Sequence, residues 1–217
     1  MKTTLFVTVL SVIVWSVFGS AIPAAALELK TTSSTGDIRI DTVMDLDSIL
    51  SIEEEQGLIY MREEEKLAHD VYVSLYQTWG LSIFQNIANS EATHTSAIKT
   101  LLDRYGIADP VGNNPAGVFA NSDLQALYTQ LVTEGNKSLA DALKVGIMIE
   151  ELDIQDLKSH LAETEHLEIK LVYENLVKGS QNHLRAFTST LERKTGASLN
   201  DQNSNLSAGR GRQRWGK

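Results

Sequence analysis

The sequence predicts an all-α fold: four long helices in two antiparallel hairpins, joined by one long crossover carrying a short extra helix. Every long segment between about Ser51 and Gly196 repeats its apolar residues with helical period. Three prolines and 6% aromatic residues supply too little turn and strand chemistry for a sandwich or barrel. No hairpin dipeptide stands between alternating apolar residues. Short links within each hairpin and one long link between them describe a four-helix bundle with a single crossover.

The elements follow in order. Ser51 and Glu54 stand at capping-box spacing, so a first helix starts there and runs to about Trp79, stopping at Gly80. Its inner stripe is Leu58, Met61, Ala68, Tyr72 and Leu75. Ser82 is read as the cap of the second helix, with Phe84, Ile87, Ala88, Ile98, Leu101 and Leu102 inward and Gly106 closing it. The stretch from Asp109 to Pro115 is turn chemistry, followed by a short helix from Ser122 to Glu134 that ends at Gly135. Ser138 caps the third long helix, whose stripe is Leu143, Ile147, Ile154, Leu157 and Leu161. Thr164 is placed to cap the fourth, with Ile169, Val172, Leu176, Ala186, Phe187 and Leu191 inward.

Both flanks differ from this domain. Lys2, the apolar run Leu5 to Phe18 and Ala24-Ala25-Ala26 have the layout of a signal peptide over residues 1–26. The run is shorter than the roughly 20 residues of a spanning helix, so cleavage is expected rather than a stable membrane anchor. The expected location is extracytoplasmic: secreted, or in the periplasm or cell envelope. Residues 1–26 carry Lys2 and no acid, so their loss would take the net charge from −9 to −10. Residues 27–50 read as a polar linker and 51–196 as the bundle. Residues 197–217, ending in Arg210, Arg212, Arg214 and Lys217, lack the apolar surface to offset ordering entropy and read as a disordered basic tail. That tail is either simply solvated or touches an anionic surface or an acidic subunit, which leaves a homo-oligomer open. The acidic balance excludes a domain-wide nucleic-acid footprint. The absence of cysteine excludes disulfides, thiolate nucleophiles and thiolate metal sites.

The apolar stripes are interrupted by groups that do not belong in a core. Glu65 falls between Met61 and Ala68 on the first helix. Glu91 and His94 sit at i, i+3 between Ala88 and Ile98 on the second. Glu150, with Asp153 beside it, interrupts the third stripe, and His183 lies between Leu176 and Phe187 on the fourth. At about 1.5 Å rise per residue, Glu65 lies roughly 21 Å from the corner at Trp79, and Glu91 and His94 roughly 14–18 Å from it. Glu150 and Asp153 lie roughly 18 and 14 Å from the opposite corner, and His183, at roughly 27 Å, fits the common level least well. Taken singly, each group reads as a surface charge or a core histidine with a satisfied hydrogen bond. Together, buried carboxylates repel one another unless a multivalent cation compensates them. Oxygen-rich ligation with imidazole and no sulfur suits iron, manganese or zinc.

Other polar residues carry weaker signals. His69 reads as a helix-flank residue, and Asn182 and Arg185 either orient carboxylates or face solvent. Tyr72 is a core aromatic that could also donate a hydrogen bond or carry a radical. Glu63, His160 and His166 fall outside the metal set, and Glu53, Glu54 and Glu55 favour the dipole of the first turn.

The strings Glu65-Lys66-Leu67-Ala68 with Tyr72, and Glu91-Ala92-Thr93-His94, resemble the first half of ferritin-like di-metal carboxylate proteins such as the rubrerythrins. Met61 to Ala68, Val145 to Ile154 and Gly179 to Phe187 resemble more particularly the ferritin-like family known as domain of unknown function 2202, over roughly Leu58 to Leu191. The resemblance implies a ferritin-like bundle with a di-metal centre held by Glu65, Glu91, His94, Glu150 and His183. It implies two divalent ions, iron first and manganese second, reacting with oxygen or peroxide or oxidising ferrous iron. The ferritin-like pattern repeats Glu-x-x-His on the fourth helix, but position 180 here is Ser. Asp153 could fill the gap from the third helix, or the second ion is held weakly, and Gly179-Ser180 also has a plain packing explanation. The alternative function is a non-catalytic exported module that binds metal or a partner on the same scaffold. No residue is assigned a catalytic role.

Overall fold

The computed structural model describes residues 49–196, so the expected signal peptide, the linker up to residue 48 and the basic tail lie outside the described residues. Within them stand five α-helices and no strand: α1 (Ile52–Trp79), α2 (Ser82–Tyr105), α3 (Ser122–Gly135), α4 (Leu139–Glu163) and α5 (Leu167–Thr195). α1 pairs with α2, and α4 with α5; α1 also packs on α4, and α2 on α5. The short α3 lies against α1 and α4. None of the described helices is long and apolar enough to cross a membrane.

Local chemistry sets most boundaries. The Ser51–Glu54 capping box forms in both directions, and Gly80 ends α1 in the left-handed conformation at φ 63°. Ser138 caps α4 by accepting from Asp141 N. Two expected caps are corrected. Ser82 is the first residue of α2, behind a Leu81 that has no capping side chain. Thr164 closes α4 instead of opening α5: its hydroxyl donates to the His160 carbonyl at 2.7 Å, and His166 stands at the N-cap of α5. α3 starts behind Asn121, whose side chain accepts from Asp123 N and Leu124 N.

The inner face of α4 is rotated from the expected stripe. Leu143, Gly146, Glu150, Asp153 and Leu157 are buried, whereas Ile147, Ile154 and Leu161 are half-buried flanks. On α5, Val172 and Ala186 are likewise half-buried, and Tyr173, Ser180 and Thr190 take the inner positions.

The apolar interior is divided. One cluster holds Ala68, Tyr72, Leu75, Phe84, Ala88, Ile149 and Phe187; the other holds Leu58, Met61, Ile98, Leu157, Tyr173 and Leu176. Along each long helix the chain leaves one cluster and enters the other across a polar step. These steps are Glu65 on α1, Glu91 and His94 on α2, Glu150 and Asp153 on α4, and Ser180 and His183 on α5. The candidate site therefore fills a layer between two apolar halves.

The opposite face of α1 is buried too, beneath the crossover. Arg62 forks onto Asp109 at 3.0 and 2.9 Å, and Lys66 Nζ donates to Asp70 at 2.5 Å and to the carbonyls of Pro115 and Val118. Glu63 accepts from Ala120 N at 2.6 Å and Asn121 N at 2.8 Å, just ahead of α3, where negative charge is favoured. Each of these buried charges has a partner. They fasten the crossover and are not free to serve as ligands.

Glu54 ties the far end together. Beyond its capping box it accepts from Glu165 N, His166 N and the His166 ring, at 2.8, 3.1 and 2.8 Å. Burial pushes its carboxyl up, but these donors outweigh burial and hold it at about 2, below the ordinary 4.5. A lowered folded value gives stability that is full above the unfolded value and lost as pH falls from about 4.5 towards about 2. Glu54→Ala is expected to cost about 1–3 kcal/mol at neutral pH by thermal unfolding. Its deficit relative to wild type should shrink as pH falls through that window.

Candidate metal centre

Helical spacing brings the polar layer together. Glu91 and His94, one turn apart on α2, have Oε2 and Nδ1 2.7 Å apart, and Glu65 of α1 brings Oε2 to 3.3 Å from the same nitrogen. Across the interior, His183 Nδ1 of α5 lies 2.8 Å from Glu91 Oε1 and 3.5 Å from Glu150 Oε2 of α4. Glu91 thus turns one oxygen to each imidazole. The rings stack with centroids 5.4 Å apart. Two groups result, Glu65–Glu91–His94 and Glu91–Glu150–His183, with the potential ligand atoms of each within 4.8 Å of one another. All five side chains are nearly buried; Glu65 and Glu150 are 1% exposed.

These contacts are close without hydrogen-bond alignment. Nδ1 of His94 and of His183, and Oε1 of Glu65 and of Glu91, are buried and have no hydrogen-bond partner. Atoms that crowd together while facing a common point, rather than each other, suit a shared cation. No lysine or arginine forms an ion pair with these carboxylates among the described residues, so the imidazoles are their only counter-charges. The buried Glu and His groups could hold a metal ion.

The electrostatics show what the layer does without one. Burial pushes Glu91 up, but His183 and His94 outweigh it and hold the carboxyl at about 2. Burial opposes the charge on both imidazoles. The facing carboxylates still raise His94 to about 11 and His183 to about 9. Burial lifts Glu150 to about 7, with the Glu91 charge adding and His183 and Tyr72 subtracting, and lifts Glu65 well above its ordinary value. The metal-free layer balances itself with protons. A cation bound to Nδ1 must displace them.

Neighbouring groups orient the layer. The Tyr72 hydroxyl donates to Glu150 Oε1 at 2.7 Å; burial and then the Glu150 charge keep that phenol protonated. His183 Nε2 meets Ser90 Oγ at 3.0 Å, leaving Nδ1 to face the carboxylates. Asp153 belongs to neither group. The Ser180 hydroxyl donates to its Oδ2, and its Oδ1 is buried and unpartnered. The serine in place of the expected fourth-helix Glu therefore positions an α4 carboxylate. Gly179 has its own task, since a Cβ there would stand 2.6 Å from His94 Nε2. α5 passes so close to the imidazole that only glycine fits.

The remaining sequence candidates sort cleanly. His69 flanks the helix and meets Asp70 at 2.9 Å, remote in chemistry from the layer. Asn182 and Arg185 are exposed and bond to each other. His166 serves Glu54, and His160 rests against Gly57 and Tyr60. Sequence reasoning missed Glu64, buried on α1 with both carboxylate oxygens unpartnered, and Ser90. Glu64 lies off the apolar stripe and is covered by α4, which periodicity within α1 does not reveal.

The profile of the family described as "Uncharacterized protein domain (DUF2202)" matches residues 54–207. The chain belongs to this family. All six proposed ligands fall inside the matched DUF2202 region. The uncharacterized protein MJ0754 of Methanocaldococcus jannaschii is 57% identical over 142 residues, which cover 65% of this chain and 77% of that protein. A crystal structure titled as the hypothetical protein MJ0754 superposes with a TM-score of 0.68 at 49% identity, covering 75% of this chain and 95% of the other. The DUF2202 fold thus recurs in a solved relative.

The Gly179 contact is directly testable. Gly179→Ala is expected to push His94 off its position and weaken metal binding about 10–100-fold, as losses of orienting groups do. Isothermal titration with manganese checks this; unchanged affinity would show that the close approach has no bearing on His94.

Proposed function

We propose that this protein is a ferritin-like four-helix bundle, exported after removal of residues 1–26, that binds two divalent metal ions and uses them for oxygen or peroxide chemistry or to oxidise ferrous iron. The observation carrying the reading is Glu91: one buried carboxylate turned towards two imidazoles, each backed by its own second carboxylate, Glu65 and Glu150. A carboxylate shared in this way is what bridging two ions requires. Four carboxylates, Glu65, Glu91, Glu150 and Asp153, would neutralise two divalent charges, with His94 and His183 neutral. Iron comes first and manganese second, because mixed carboxylate and imidazole ligation suits both.

Bound iron or manganese would supply Lewis acidity and one-electron redox chemistry. The chain's own part is positional. Tyr72 fixes Glu150, Ser180 fixes Asp153, and Ser90 fixes the His183 ring. The two apolar clusters keep bulk water from the layer, which strengthens every charge interaction within it. Ferrous iron and oxygen or peroxide are read as substrates, and no protein partner is assigned.

A specific observation supports the second reading, a metal-binding module without turnover. Position 180 carries a hydroxyl committed to Asp153, so the His183 half of the site has no carboxylate from its own helix. Metal stoichiometry measured beside ferrous-oxidation and peroxide-consumption rates separates the readings. Wild type is expected to bind two ions with unequal affinity and to oxidise ferrous iron faster than free iron is oxidised in buffer. Glu91→Gln should lose both the ion pair and the activity, Asp153→Ala the weaker ion alone, and the exposed control Glu174→Gln neither. Two ions with no rate above free metal would leave the binding module standing. No binding at micromolar metal would end both readings.

A further inference from the structure

α1 and α4 also meet along a second line of polar groups that the centre does not use. Gly57 lies against the His160 ring, the Tyr60 hydroxyl donates to Asp156 Oδ2 at 3.3 Å, and Glu64 faces Asp153 and Asp156. The register is antiparallel, so positions 57, 60 and 64 of α1 climb past 160, 156 and 153 of α4. Glu64 is 3% exposed, and neither of its carboxylate oxygens has a hydrogen-bond partner. Asp153 Oδ1 is also buried and unpartnered, while Asp156 is half-buried and within hydrogen-bonding reach of Glu64.

No basic side chain answers this cluster. Lys66 and Arg62, on the same stretch of α1, are committed to Asp70 and Asp109 under the crossover. No described ion pair reaches Glu64, Asp153 or Asp156. Buried carboxylate oxygens without partners are costly, and two carboxylates in contact need either a shared proton or a cation between them. One shared proton satisfies one oxygen of Glu64, leaving its second oxygen and Asp153 Oδ1 bare. A cation with several oxygen ligands satisfies all three.

We propose that Glu64, Asp156 and Oδ1 of Asp153 form a separate all-oxygen site for a hard divalent cation, entered from the half-exposed Asp156 side. The donor set has no imidazole, so it suits calcium, magnesium or manganese over softer ions. Its oxygens converge less tightly than those of the two imidazole-bearing groups, which fits an ion that keeps some of its water. Asp153, touched by both Ser180 and this cluster, lies where the new site adjoins the centre.

The test is calcium titration of the full chain by isothermal calorimetry, with folding of every variant checked by circular dichroism. Wild type and Glu91→Gln, whose shared carboxylate is gone, should each bind calcium at this position. Glu64→Gln and Asp156→Asn should bind it at least tenfold more weakly at that position. The double variant Glu64→Gln with Glu91→Gln should bind none. If Glu91→Gln alone abolishes every calcium site, or Glu64→Gln leaves stoichiometry and affinity unchanged, the separate site does not exist and the pair shares a proton. The prediction stands apart from the redox reading: failure of metal-dependent turnover leaves the Glu64 arm untouched.

Discussion

Charge balance inside a dry layer governs this molecule. Glu65, Glu91, Glu150 and Asp153 come from three helices into one buried level, with His94 and His183 as their only neighbours of opposite charge potential. Water cannot relieve them, because an apolar cluster closes the layer on either side. Their mutual repulsion in low dielectric would open the interior unless protons or cations intervene. The fold is arranged so that both remain available: Nδ1 of each imidazole faces inward, and Tyr72, Ser90 and Ser180 hold the surrounding atoms in place.

The contrast with the crossover sharpens the point. α1 buries charge on two faces within one stretch of sequence, Met61 to Asp70. On the outer face Arg62, Glu63, Lys66 and Asp70 each find partners of fixed geometry, so their burial stabilises the connection between hairpins. On the inner and α4-facing sides Glu65 and Glu64 do not. Stability accounts for the first set. The second is tolerated where binding energy from a cation can offset the desolvation of the ligands.

Much of this was legible in the sequence where the physics is local. The Ser51–Glu54 box, Gly80, Ser138 and the short links between paired helices depend on residues a few positions apart, and they form as expected. The inward Glu65, Glu91, His94, Glu150 and His183 were legible because helical period fixes the face of each helix, and one turn of error does not move a residue to the other side. Where tertiary packing decides, the reading slipped. Thr164 has the chemistry of an N-cap, but the Glu54 side chain reaches Glu165 N and His166 N from α1 and shifts the start of α5. Ile147 and Ile154 look like core residues, but α4 is rolled to aim Glu150 and Asp153 inward. Glu63 looked like a dispensable surface acid because its partners lie in the crossover, 57 and 58 residues away.

The central claim is that cations complete the core, and thermal unfolding at pH 7, first after exhaustive chelation and then with iron or manganese restored, tests it most directly. At a hundredfold excess over the dissociation constant each site adds about 2.7 kcal/mol. At roughly 2–4 °C per kcal/mol for a domain of this size, two sites should raise Tm by about 10–20 °C. The exposed-site variant Glu174→Gln should show the same rise, and Glu91→Gln little of it. Coincident unfolding of stripped and reloaded wild type, across iron, manganese and zinc, would contradict the account and leave the buried layer balanced by protons alone.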